Sequence, residues 1–312
     1  MSISFAAVVL AAAAHAAPAD GATRLLRFPD ICGDSIAFVY GGDIYRVAAG
    51  GGVAQRLTSH IGTELYPKFS PDCATIAFSG EYDGTRQVYV IPAAGGTPRQ
   101  LTWYNDVGPQ PQSRGTDYRV LDFSPDGKNV LVRANRAPYA TNIGTPLLVP
   151  VDGGLETLLP MPEAGGGMFS PDGKSVVYTP IDSDFRSWKR YRGGLAPDVW
   201  TYDLVHNTSQ RLTDAKSTDH QPMWVGDTLY FVSDRNSQNL NLWAMSVDGS
   251  NQRAVTQFGD YDVLWPSAGK DAIVFEQAGY VWRFDPKTQN AAKVDIRVTG
   301  DLPQAMPQWR KV

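Results

Sequence analysis

The sequence predicts an all-β protein, a six-bladed β-propeller with four antiparallel strands in each blade. Three observations lead to this prediction. A short turn motif recurs six times along the 312 residues, alternating apolar segments follow each copy, and 30 glycines and 22 prolines supply the turns that short strands need. Repetition of this kind sets the fold class, because each unit can bury its apolar faces only against its neighbours.

The recurrent turn reads FSPD at Phe69 and FSPDG at Phe123 and Phe169, with weaker copies elsewhere. Its residues suit a hairpin: proline presets the first turn residue, aspartate hydrogen-bonds the backbone ahead, and glycine takes the positive φ. The six copies are anchored at Phe28, Phe69, Phe123, Phe169, Trp224 and Trp265, at separations of 41, 54, 46, 55 and 41 residues. Such periods are typical of propeller blades.

Two strand-like segments follow each anchor, and a shorter closing segment completes most units. The first set reads SIAFVY, TIAFSG, NVLVRA, SVVYTP, TLYFVS and AIVFEQ, and the second reads DIYRVA, QVYVIP, PLLVPV, DVWTYD, NLWAMS and YVWRFD. Closing segments include QRLT, RQLT and RAVT. Alternation at a period of two, with β-branched and aromatic residues, indicates strands. With the segment that carries the anchor, each unit supplies four.

The propeller is predicted to occupy residues 24–297, followed at 298–312 by a linker or the start of another module. Each unit contains all four of its own strands. We therefore expect the first blade to pack face to face on the last, without strands shared between the termini. Two stacked sandwiches are the structural alternative, but they would not require six similar units.

Residues 1–20, MSISFAAVVLAAAAHAAPAD, form an apolar leader that ends near Ala14-His15-Ala16, a small-x-small pattern typical of signal peptidase sites. The usual positive residues before the apolar run are missing. The leader is therefore interpreted as a signal peptide or as a disordered alanine-rich segment. The first interpretation predicts a periplasmic or secreted protein, and the second a cytoplasmic one.

Composition argues against two classes of partner. A net charge of −4 offers no general attraction for nucleic acid. After the leader, no apolar run approaches the roughly 20 residues that a membrane helix needs, so no membrane association is expected.

The two cysteines, Cys32 and Cys73, fall in matching turns of successive units. Equivalent turns of neighbouring units are expected to lie farther apart than the roughly 7 Å between Cα atoms that a disulfide allows, so two free thiols are predicted. Cys73 also replaces the glycine of the SPDG turn, which should make that turn less tight.

No arrangement of catalytic residues is evident. The sequence lacks a Gly-x-Ser-x-Gly elbow, a His-Glu-x-x-His motif, a phosphate loop and a dinucleotide fingerprint. His60, His206 and His220 are isolated and do not stand at metal-ligand spacing to a cysteine. The aspartates of the repeated turn, Asp72, Asp126 and Asp172, are explained by the hairpin. We expect a chain without catalytic residues, metal or cofactor.

Several stretches resemble the N-terminal six-bladed propeller of tricorn-type serine proteases. They occur in order between about Leu25 and Ile296. The stretches are FPDICGDSIAFVYGGDIYRVAAGGGVAQRLTSHIGTELYPKFSPD, WKRYRGG with DVWTYDL after it, PMW, YFVSDRN and DYDVLWPSAGKDAIVFEQAGYVWRFD. WKRYRGG is the most specific of them, whereas FSPDG also occurs in TolB-like and prolyl-oligopeptidase propellers.

The resemblance implies a non-catalytic module of a larger peptidase that degrades short peptides. A second propeller, a PDZ-like domain and catalytic domains would follow it, and a homo-oligomer could form through the parent enzyme. The propeller would gate peptides that enter or leave and would dock on these domains. The alternative is a free-standing periplasmic propeller of the TolB kind that binds a protein partner.

A basic cluster is the candidate substrate-binding site. In an extended loop, Arg190 and Arg192 would present both guanidinium groups on one side, beside Lys189. Arginine matches a carboxylate in bidentate geometry, so these residues are candidates for binding a peptide carboxylate. Arg114 is a further candidate, at the position where the family can carry an arginine pair. The structural interpretation is that the cluster packs on its blade and pairs with Asp182, Asp184 or Asp198.

Overall fold

The computed structural model describes residues 21–104, 118–134, 144–182, 189, 191, 193–214 and 216–300. In this part of the chain the structure consists of strands, turns and irregular connections, with no helix. Six sheets of four antiparallel strands form a ring, which confirms the predicted six-bladed propeller. The leader at 1–20 and the segment 301–312 lie outside the described residues.

The strands follow the sequence repeats closely. The first three blades contain β1 (Arg27–Cys32), β2 (Ser35–Tyr40), β3 (Asp43–Ala48) and β5 (Gln55–Arg56); β6 (Glu64–Phe69), β7 (Thr75–Gly80), β8 (Gln87–Pro92) and β9 (Arg99–Gln100); and β10 (Arg119–Phe123), β11 (Asn129–Ala134), β12 (Thr145–Pro150) and β13 (Thr157–Leu158). The last three contain β14 (Gly166–Phe169), β15 (Ser175–Thr179), β16 (Trp200–Asp203) and β17 (Thr208–Arg211); β18 (Asp219–Val225), β19 (Thr228–Ser233), β20 (Asn241–Ser246) and β21 (Arg253–Ala254); and β22 (Leu264–Ala268), β23 (Ile273–Gln277), β24 (Tyr280–Asp285) and β25 (Asn290–Lys293).

The repeated Ser-Pro-Asp turn links the first and second strands of a blade. In the second blade the Ser70 hydroxyl donates to Asp72 at 2.5 Å, and the backbone N–H of Ala74 donates to the same carboxylate at 3.0 Å. Asp126 and Asp172 accept equivalent bonds in the next two blades. These bonds lower the pKa of all three carboxyls, the serine hydroxyl being the largest cause. The aspartates therefore shape hairpins, as the sequence indicates.

A threonine after the fourth strand ties that strand to the third. Its hydroxyl oxygen accepts the N–H of a residue in or just before the third strand, at 2.8–3.0 Å in four blades. This bond explains why the closing segments end in threonine. The pairs are Thr58 with Ile44, Thr102 with Val88, Thr213 with Val199 and Thr256 with Leu242.

Ring closure rests on packing between the sixth and first blades. One core cluster combines Ile31 and Ile36 of the first blade with Val274 and Val281 of the sixth. Each such buried side chain stabilises the fold by about 1.5–3 kcal/mol. Neither terminal blade contributes a strand to the other's four-stranded sheet in the described residues, so the predicted mode of closure is confirmed.

Polar contacts supplement this packing. The buried Glu276 of the sixth blade accepts the N–H of Phe28 at 2.6 Å and pairs with Arg27 at 3.0 Å. Outside the blades, a short parallel pair joins β4 (Gly52–Val53) to β26 (Ile296–Arg297). This pair fastens the chain after the sixth blade to the rim of the first blade without extending either blade's sheet.

The prediction of two free thiols is wrong, because Cys32 and Cys73 form a disulfide with 5.6 Å between their Cα atoms. Blades radiate from a common axis, so the turns after their innermost strands lie closest together. At these innermost turns neighbouring blades come within disulfide distance. The disulfide joins the first blade to the second at the axis.

Both cysteines depart from the residues that other blades use. Cys32 stands where Ser70, Ser124 and Ser170 occur, and Cys73 stands where Gly127 and Gly173 occur. Cys73 has a φ of +62°, similar to +71° and +70° at those glycines. A non-glycine residue in this region costs about 1–2 kcal/mol. The turn therefore keeps its shape at a cost that the disulfide offsets.

Replacing Cys32→Ser and Cys73→Gly together restores the residues of the other blades. We expect a folded propeller whose free energy of unfolding falls by about 3 kcal/mol, because a disulfide spanning 41 residues contributes about 4 kcal/mol and the glycine recovers about 1. Urea unfolding with and without a phosphine reductant measures this effect. Reductant should destabilise the natural chain and leave the variant unchanged; equal midpoints for the natural chain in both conditions would contradict the prediction.

Candidate functional site

The innermost strands of the six blades surround an axial cavity of about 670 Å³. These strands are β1, β6, β10, β14, β18 and β22, and each contributes residues to the cavity wall. Equivalent positions of all six repeats therefore meet around one space. This cavity is the candidate functional site, since concave spaces of this size are the usual place for ligands.

Backbone bulges turn aromatic side chains toward one end of the cavity. Phe28, Tyr66 and Trp265 occupy equivalent positions in three inner strands, where the pairing register with the second strand shifts. All three have positive φ values of 48–56°, and a proline follows each of them. A bulge re-aims the side chain it carries, and a bulky residue with positive φ is an outlier that points to a functional constraint.

The three rings pack against one another although they come from the sixth, first and second blades. Phe28 lies edge-on to Tyr66 at 4.7 Å and to Trp265 at 4.6 Å between ring centroids. All three are buried. We call this group the aromatic end of the cavity.

Arg119 of the third blade crosses the axis to this group. Its guanidinium carbon lies 4.9 Å from the centroid of Tyr66 and 5.1 Å from that of Trp265. The third and sixth blades are opposite one another in a ring of six, so the contact with Trp265 spans the channel. Cation–π attraction holds the side chain there and narrows the aromatic end.

A polar layer lies next along the axis. Lys68 donates to Asp30 at 3.3 Å and to the hydroxyl of Ser267, which itself donates to Asp30. The other oxygen of Asp30 accepts the N–H of Phe69 at 2.7 Å. Because Lys68 and Asp30 pair within this network, their charges largely cancel.

Asp122 occupies the equivalent position in the third blade, and its side chain forms part of the cavity wall. It accepts the N–H of Phe169 from the fourth blade at 3.1 Å. Desolvation raises the pKa of the Asp122 carboxyl to about 7, while the nearby Lys68 and the backbone N–H groups oppose the increase. This carboxyl therefore gains or loses its proton near neutral pH.

The cavity wall is apolar on the fourth and fifth blades. The equivalent positions in the fourth and fifth blades are Met168 and Met223. The Met168 sulfur lies 3.4 Å from the backbone nitrogen of Trp224 in the next blade. In the equivalent contact one blade earlier, the carboxylate of Asp122 takes the place of the sulfur. The cavity thus has a polar arc on four blades and an apolar, polarizable arc on two.

The predicted substrate-binding residues lie away from this cavity or outside the described chain. Arg114, Arg190 and Arg192 belong to residues that the structure does not describe. Lys189 donates to Asp262 at 2.6 Å and to the carbonyl oxygen of Gln238 at 3.0 Å, which ties its loop to the fifth blade.

The acidic partners proposed for the basic cluster have other cations. Asp182 pairs with Arg133 of the third blade, and Asp198 pairs with Arg211 at 2.8 Å. Asp184 is outside the described residues. The interactions of Arg190 and Arg192 stay a prediction.

Two kinds of site are absent from the described residues. No three His, Cys, Asp or Glu side chains in those ranges are grouped so that they could hold a metal ion. Nor does that part of the chain form a helix of the length and apolarity needed to cross a membrane.

Residues 23–290 match the family model described as the tricorn protease N-terminal beta propeller domain. The chain belongs to this family. Tricorn protease homolog 1 of Streptomyces coelicolor is 30% identical over 281 residues, which cover 89% of this chain and 25% of that protein. The tricorn protease of Thermoplasma acidophilum is 26% identical over 282 residues, with coverage of 89% and 25%. The chain therefore spans about a quarter of the length of these curated relatives.

Solved structures show the same fold. The crystal structure of the tricorn protease aligns with a TM-score of 0.76 and 24% identity over 89% of this chain and 27% of that one. The β-propeller domain of the Trilobed protease from Pyrococcus furiosus aligns with a TM-score of 0.55 and 12% identity, covering 87% and 97%. At these sequence identities the structural similarity establishes only the fold of this chain.

Sequence reasoning did not find Arg119, Asp122 or the aromatic end. The sequence does contain a signal for the aromatic end, which is a proline inside an inner strand. Such a proline directly follows Phe28, Tyr66, Gln221 and Trp265. Proline removes a ladder donor and is confined to bulges or edges. No comparable signal marks Asp122, since its role depends on neighbours from other blades.

The raised pKa of Asp122 predicts a pH dependence of stability. Between about pH 4 and pH 7 the unfolded carboxyl is ionised while the folded one retains its proton, so its contribution to stability falls as pH rises. We expect Asp122→Asn to lessen the loss of stability between pH 4 and pH 7. Urea unfolding at several pH values tests this, with Asp152→Asn, an exposed turn residue of the same blade, as the control. Parallel pH profiles for the natural chain and Asp122→Asn would refute the assignment.

Proposed function

We propose that this propeller is the N-terminal module of a tricorn-like serine protease that degrades short peptides, where it gates peptides and docks on the domains that follow. The observation that carries the proposal is the family match over residues 23–290, in a chain a quarter as long as its curated relatives. Catalysis would reside in domains beyond this propeller.

The axial cavity supports a gating role. Its aromatic end is narrowed by Arg119, a single side chain held by ring faces on the second and sixth blades. A cation–π contact with a desolvated ring contributes about 2 kcal/mol, so only a group that replaces the guanidinium on these buried rings would displace it. A peptide entering the channel would compete with Arg119 for these rings.

The face around the aromatic end supports a docking role. Connections between blades emerge there, and they carry three highly exposed apolar side chains: Ile61 at 87%, Trp103 at 69% and Tyr261 at 60% exposure. The long connection between β15 and β16, which includes the basic cluster, begins at the same face. Large apolar side chains exposed on one face favour a protein contact there.

The basic cluster provides the test of peptide recognition. In the full-length parent enzyme, Arg190→Ala with Arg192→Ala should lower kcat/KM for peptides with a free C-terminal carboxylate by about tenfold or more, because charge-assisted bidentate bonds are lost. Amidated peptides should be cleaved nearly as before. Steady-state kinetics on matched free and amidated peptides measures the difference.

Lys189→Ala serves as the control, because Lys189 is tied to Asp262. It should not discriminate between free and amidated peptides. Equal loss on both peptides in the arginine variant would refute the carboxylate explanation. Hydrolysis by the purified 312-residue chain alone would refute the non-catalytic assignment.

The reading frame separates this proposal from a free-standing binding propeller of the TolB kind. Coding sequence that continues beyond Val312 into catalytic domains supports the protease module. A stop codon there, with a stable product of this size, supports the binding propeller.

We also propose that the protein is exported. The disulfide between Cys32 and Cys73 supports this, because structural disulfides form mainly in oxidising compartments. Protein isolated from native cells should begin shortly after Ala16 and resist alkylation until it is reduced. Intact-mass measurement checks both points, and a product that retains the leader and takes up two alkyl groups without reduction would contradict export.

A further inference from the structure

The axial cavity contains a carboxyl group that forms no ion pair with any side chain in the described part of the structure. Lys68, whose charge lowers the pKa of Asp122, pairs with Asp30 and hydrogen-bonds to Ser267. Among the described residues Asp122 forms no ion pair and is held by backbone N–H groups. The polar layer thus carries a surplus negative charge when Asp122 is ionised.

The wall beyond Asp122 suits an apolar group next to a cation. Met168 and Met223 occupy the equivalent positions on the fourth and fifth blades, and both line the cavity. Gly166, which also lines it, has open space where a side chain would begin. Thioether groups adapt to irregular apolar ligands and are polarizable.

Two buried side-chain atoms of fifth-blade residues have no hydrogen-bond partner within the described ranges. They are Oε1 of Gln221, an acceptor, and Nε1 of Trp224, a donor. Both atoms are enclosed by the protein, so a molecule in the cavity does not reach them in this conformation. Gln221 also has a positive φ of 51°, like the aromatic residues at the equivalent positions.

We propose that the axial cavity binds a small primary ammonium compound with a short apolar tail. The ammonium group pairs with Asp122, and the tail packs on Met168 and Met223. About 670 Å³ is ample for such a molecule. The inference does not depend on the parent protein being a peptidase.

L-Leucinol is a suitable probe because it combines an ammonium group with an isobutyl tail. At about pH 8 the amine is protonated and Asp122, whose pKa is about 7, is ionised beside the Lys68–Asp30 pair. Calorimetric titration of the full chain should show binding. Isohexanol, which lacks only the amine, should bind at least about tenfold more weakly, because it forms no charge-assisted bond.

Variants locate the binding. Asp122→Asn should weaken leucinol binding about tenfold or more, while the exposed Asp152→Asn should leave it unchanged. Three results would overturn the proposal: no binding of leucinol, equal binding of leucinol and isohexanol, or undiminished binding to a folded Asp122→Asn protein. The comparison of the two probes needs no variant, so a misfolded Asp122→Asn protein would still leave a decisive result.

Discussion

Each blade of this propeller buries one face of its sheet against the preceding blade and the other against the following blade. The first and last blades do the same, because Ile31 and Ile36 pack against Val274 and Val281. The sixth blade must therefore lie beside the first. Burial of apolar area is the dominant favourable term in folding, and here it requires a closed ring. Ring geometry then brings one strand from every blade to the axis, where the candidate site lies.

The site arises from differences among repeats that share one backbone. At one position of the inner strand the six blades carry Asp30, Lys68, Asp122, Met168, Met223 and Ser267. The shared backbone places these side chains in one layer, and their chemistry divides the layer into a polar and an apolar arc. Positive φ values at Phe28, Tyr66 and Trp265 show where backbone strain is retained beside the cavity. Departures from the repeat are therefore the residues most relevant to function.

The cysteines illustrate the same logic for stability. A propeller closed by packing lacks the strand exchange that would fasten its first blade to its last, and other contacts must hold the first blade in place. Glu276 and the pair between β4 and β26 do so on one side. On the other side the disulfide links the first blade to the second at the axis. The first blade is thus fastened on both flanks.

The sequence by itself determined the number of blades, the four strands of each, the hairpin role of Asp72, Asp126 and Asp172, and the family resemblance. These features depend on local periodicity and turn chemistry, which are read within some tens of residues. The tertiary structure alone decided the disulfide, the crossing of the axis by Arg119, and the environment that raises the pKa of Asp122. These depend on distances between different blades, and curvature around the axis brings residues 41 or more positions apart into contact.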